Sequence, residues 1–127
     1  MKQGDCFFNK AAPRLPSHLW VIVSQPDVDE DNVLIVNLTD VENHHDLSCV
    51  LDASDHPGII TKRSCVAYQF AKITSLARLQ EALSSGLLYS RDPVPSETLA
   101  KIINGAQETD ELRGDCRELL RGQFLIT

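Results

Sequence analysis

Four histidines, His18, His44, His45 and His56, are the side chains best suited to move protons near neutrality, because unperturbed imidazole titrates at about pH 6.5. His18 follows Pro13-Arg14-Leu15-Pro16-Ser17 and precedes an apolar run, which predicts a strand entrance beneath a proline-stiffened loop, a common site position. His56 lies in Asp55-His56-Pro57, where Asp55 or a backbone carbonyl would orient the ring, or where the triplet simply shapes a turn. Lys62-Arg63-Ser64 carries the only adjacent basic pair and follows His56 by six residues. Ammonium and hydroxyl groups give charge-assisted hydrogen bonds to phosphate oxygens, so His18, His56, Lys62 and Ser64 would suit a pentavalent phosphoryl transition state. Thr39-Asp40 adds a hydroxyl and a carboxylate. Each feature also has a plainer reading: His18 as a half-buried ring bonded to a backbone group, Lys62-Arg63 as a solvated turn, and Asp40 as a turn former.

His44-His45-Asp46 with Cys49 and His56 offers nitrogen, oxygen and sulfur donors in a short stretch, but no zinc-ligand spacing is matched and adjacent strand residues point to opposite faces. An exposed acidic turn after Val41-Glu42-Asn43 is the better description, and no metal or cofactor is expected. Cys6, Cys49, Cys65 and Cys116 form no C-x-x-C pair and read as reduced, mostly buried thiols. Gly-rich phosphate loops, nucleophile elbows and H-E-x-x-H helices are missing.

The elements that must position these groups change character along the chain. Cys6-Phe7-Phe8, Leu19–Val23 and Val33–Leu38 are apolar runs of strand length, the last two fitting central strands. Pro26 to Asn32, with four acids, marks the solvated loop between them. Leu47–Leu51 predicts a fourth strand, Asp52 to Gly58 a turn, and Cys65–Ala71 a half-buried strand with Val66, Tyr68 and Phe70 on one face. Five or six short strands suffice for a small barrel. Ser75 then caps a helix carrying Leu76, Leu79 and Leu83 and ending near Gly86. Ser96 caps a second with Leu99, Ile102, Ile103 and Ala106 at helical spacing, and Thr109 a third with Leu112, Cys116, Leu119 and Leu120. This predicts one α+β domain over residues 1–127, strand-rich in 1–74 and helical in 75–127.

The 127 residues suit a single core, and 43% hydrophobic with 24% charged residues is ordinary globular composition. The net charge of −6 comes mainly from residues 1–64, which hold 5 basic against 10 acidic side chains, while residues 65–127 hold 7 against 8. That balance disfavours non-specific coating of nucleic acid, leaving only local clustering of Lys10, Arg14, Lys62 and Arg63 to build a positive groove. No apolar run approaches the roughly 18–20 residues that span a bilayer, and no signal-type apolar stretch follows Met1-Lys2-Gln3-Gly4-Asp5. The expectation is a cytoplasmic protein that does not engage membranes.

The order Gly4-Asp5 leading a first strand, a loop ending at His18, the strand Trp20-Val21-Ile22-Val23-Ser24, and a strand closing on Thr39 resembles the PemK/MazF-like toxin superfamily, which includes CcdB-like gyrase poisons. The strand near Val66–Ile73 and the helix start Val94-Pro95-Ser96-Glu97-Thr98-Leu99 also fall where that family has its last strands and C-terminal helix. The resemblance implies an SH3-like antiparallel barrel followed by C-terminal helices, a homodimer, a cognate antitoxin protein and metal-independent cleavage of single-stranded RNA. His18-Leu19 stands where the ribonucleases of that family carry Arg-Pro, replacing a fixed cation by a titratable ring. In that reading His18 supplies acid or base, Thr39 positions substrate, and His56, Lys62 and Ser64 bind phosphate. The alternative is a non-catalytic module whose leucine-bearing helices dock an antitoxin or a gyrase-like target.

Overall fold

A computed structural model describes residues 1–127. β1 (Cys6–Asn9), β2 (Leu19–Ile22), β3 (Val33–Asp40), β4 (Val50–Leu51), β5 (Ser64–Val66), β6 (Lys72–Thr74) and β7 (Leu88–Arg91) form one antiparallel sheet, joined by α1 (Leu76–Ser84), α2 (Ser96–Glu108) and α3 (Gly114–Gly122). The strand path β4-β5-β3-β2-β1-β7 is open, and β6 also pairs with β3.

β3 organises the sheet because it is long enough to serve three partners. Ile35–Asn37 pair with β2, Val33–Ile35 with β6, and Leu38–Asp40 with β5. Its apolar residues alternate between two cores. Leu34, Val36 and Leu38 join Val21, Val23, Tyr68, Ile102, Ala106, Cys116 and Leu120 in the larger one. Val33 and Ile35 join Phe7, Ile22 and Leu79 in a smaller one under α1, against which Trp20 and Leu88 pack. No helix is long and apolar enough to cross a membrane.

Several local expectations need correction. Residues 75–127 are not purely helical: β7 lies between α1 and α2 and pairs with β1. The fourth strand covers only Val50–Leu51 of the expected Leu47–Leu51. The run Cys65–Ala71 breaks at Ala67, and Tyr68–Phe70 form a 3₁₀ turn that buries Tyr68 and leaves Phe70 exposed. Tyr68 turns inward because its hydroxyl finds the Ile102 carbonyl at 2.6 Å. Ser75 does cap α1, accepting from the Arg78 N–H, and Gly86 at φ 79° closes the helix. Ser96, however, is the first helical residue after the N-cap Pro95, and Thr109 ends α2 rather than starting α3, whose N-cap is Arg113.

Candidate functional site

β2, β3 and β5 carry three site residues to one end of the sheet. The register Trp20↔Asn37, continued past the ladder, sets His18 opposite Thr39, while Asp40 pairs with Ser64. A cleft of about 350 Å³ opens there, lined by His18, Thr39, Asp40, Lys62 and Ser64 together with Ser17, Asn43, Thr61 and apolar Phe8, Leu19, Leu38, Ile59 and Ile60. Polar groups around an apolar floor are what a small-ligand or reaction site requires.

The His18 ring is half-buried and its Nδ1 lies 3.1 Å from the Leu38 carbonyl oxygen. A carbonyl only accepts, so Nδ1 carries the proton and the neutral ring keeps Nε2 as its base lone pair. Nε2 makes no hydrogen bond within the protein. The backbone here is held as well: Asn9 Oδ1 accepts from the His18 N–H at 2.8 Å and from the Trp20 indole N–H at 3.1 Å. One amide at the end of β1 thus holds both the His18 backbone and the Trp20 indole. Asn9 was not legible as a site residue, since an asparagine ending a strand signals only a turn.

Lys62 is exposed on the turn before β5 and has no carboxylate partner. Ser64 donates its hydroxyl to the Lys62 carbonyl at 2.9 Å, so it holds the lysine turn in shape and is not aimed at a ligand. Asp40 Oδ1 accepts from the Glu42 N–H, an N-capping bond that anchors its carboxylate at the cleft. The cleft therefore holds one fixed cation and one anion. Lys10 and Arg14 do not line it, and Arg63 lies on its outer side with Glu42.

His56 does not join this group. It is 5% exposed, and its Nε2 lies 2.8 Å from the Asp92 carbonyl oxygen and 3.7 Å from Cys6 Sγ. The orienting carbonyl is that of Asp92, while the Asp55 carboxylate turns to the Lys101 ammonium at 2.6 Å and the Asp52 N–H at 2.9 Å. His56 pins the turn after β4 to the chain leaving β7, and through its backbone carbonyl, which accepts from Ile59 and Ile60 N–H, shapes the cleft floor. Burial pushes the Cys6 thiol beside it up to about 11, so it is no nucleophile. His44 and His45 lie apart from the cleft, with His45 paired to Glu111.

No family model matches the chain, and no curated protein matches it.

Proposed function

We propose that the cleft binds and cleaves the phosphodiester backbone of single-stranded RNA without a metal, as a divergent PemK/MazF-like toxin would. The observation that supports this reading best is the convergence of His18, Thr39 and Lys62 on one cleft, with the His18 tautomer leaving Nε2 as a base. His18 Nε2 takes the proton of a ribose 2′-hydroxyl. The 2′-oxygen bonds to phosphorus, the bond from phosphorus to the 5′-oxygen breaks, and that oxygen takes a proton from solvent. A 2′,3′-cyclic phosphate and a 5′-hydroxyl result. The Lys62 ammonium meets the charge on the phosphoryl oxygens, and the Thr39 hydroxyl positions the ribose. The same resemblance would make the sheet an SH3-like barrel and the protein a cytoplasmic homodimer held in check by an antitoxin.

A second reading has its own support. Phe124, 94% exposed, stands beside a groove formed by Ala100, Ile103 and Leu125, an apolar surface suited to a non-catalytic module that binds an antitoxin or a gyrase-like protein.

Incubating purified protein with mixed single-stranded RNA in EDTA separates the two. Cutting by the wild type that His18→Ala and Lys62→Ala each lower at least a hundredfold is expected, with cyclic phosphate ends. No cutting at any protein concentration would leave the binding module.

A further inference from the structure

His18 stands between two clefts. Beyond it, on the side of α1, lies a second one of about 220 Å³ lined by Leu15, Pro16, Trp20, Lys72, Leu79 and Leu88 among others. The two differ in chemistry: the first presents hydroxyls, Asp40 and Lys62, and the second an indole and aliphatic side chains. A nucleotide has the same division, a charged phosphate at one end and a flat, weakly solvated ring at the other.

We infer that the cleft at Trp20 is a nucleobase subsite, seating the base of the nucleotide whose phosphate lies at Lys62. This rests on the phosphodiester reading above. Single-stranded RNA is gripped mainly by stacking unpaired bases on aromatic side chains beside a cationic track, and every base has a face to offer. Trp20 is positioned for that by its indole N–H bond to Asn9, the amide that also holds the His18 backbone, so base and reacting group share one bracket. Lys72 Nζ lies over the indole ring, 5.1 Å from its centroid, so a cation stands beside this cleft too, on a mobile side chain that an entering base would displace toward the phosphate.

Trp20 is the only tryptophan, so its emission reports on this cleft alone. The test titrates the protein with a 2′-O-methylated adenylate pentamer, which cannot be cleaved, and with an abasic phosphodiester of equal length, following fluorescence and heat. The pentamer is expected to quench Trp20 saturably and to bind about tenfold tighter than the abasic chain, which leaves emission unchanged. Trp20→Leu removes that tenfold advantage while abasic binding persists, which also shows the variant folded; Lys62→Ala weakens both probes alike. Equal affinities with no quenching would overturn the base subsite and keep the phosphate cleft. Binding of neither probe would overturn both.

Discussion

The Tyr68 hydroxyl donates to the Ile102 carbonyl oxygen across 2.6 Å, and the same phenol occupies the space over Gly105. A Cβ built at Gly105 would lie 2.3 Å from that hydroxyl oxygen and 2.7 Å from Cys49 Cβ. Glycine here is a demand of close approach between α2 and the sheet rather than of backbone conformation. Gly105→Ala should therefore lose stability despite its gain in helix propensity. The overpacking cost of about 1–3 kcal/mol exceeds the helix gain of about 1 kcal/mol. A urea midpoint equal to or above the wild type would contradict this contact.

Asn9 should behave as a positioning residue. Asn9→Leu removes one acceptor from two donors, His18 N–H and the Trp20 indole N–H, at a cost of about 1–3 kcal/mol. Asn9→Asp keeps an acceptor in place and should retain most of that stability. Trp20 emission should shift in the leucine variant and stay near wild type in the aspartate variant. Identical spectra for all three proteins would show that the bracket is not made.

Acid should weaken the contact between the 44–48 loop and the end of α2. Burial raises the Asp46 carboxyl, but hydrogen bonds from the Ser48 hydroxyl and N–H and from Thr109 outweigh it and hold the group below its usual value. A depressed folded pKa stabilises the fold above the unfolded value of about 4, and that contribution is lost as pH falls through the folded value. Asp46→Asn should accordingly be less stable than wild type at pH 7, the gap narrowing as pH falls below about 4. Stability curves that run parallel across that range would refute the assignment.

Phe124 occupies a position that helix termination reserves for glycine. After α3, Leu125 N–H bonds the Leu120 carbonyl and Phe124 N–H bonds that of Arg121, with Phe124 at φ 60°. Its ring, almost fully exposed, gains nothing from burial to offset the left-handed backbone. Phe124→Gly should raise the melting temperature, by about 1 kcal/mol in stability. A fall in stability would mean that the ring makes contacts of its own.

β1, β2 and β3 were legible because their apolar runs are bounded by turn chemistry, and Ser75 with Leu76, Leu79 and Leu83 announced α1. β7 was not. Leu88-Tyr89-Ser90-Arg91 is short and mostly exposed, and it becomes a strand only because β1 presents an edge to it. The Val66, Tyr68 and Phe70 alternation failed for a related reason: a phenol seeking a buried acceptor outweighed the pleat. Of the candidate site residues, His18, Thr39, Lys62 and Ser64 share a cleft, as strand position suggested, but Ser64 turns its hydroxyl back to the Lys62 carbonyl. His56 was misplaced because proximity in sequence to Lys62 says nothing of direction, and its ring is drawn inward by the Asp92 carbonyl.

The pairing of Cys6 with Arg91 ties the first strand of the chain to its last one. Such a ladder closes a very long loop, so its entropy cost falls late in folding, after β1 has met β2 locally. Until α1 and β7 have left the ribosome, β1 is an edge with unpaired amides beside apolar Phe7 and Phe8. Synthesis halted near Thr74 would thus leave a nascent chain prone to pair with its neighbours, a hazard that ends once α1 and β7 have been made.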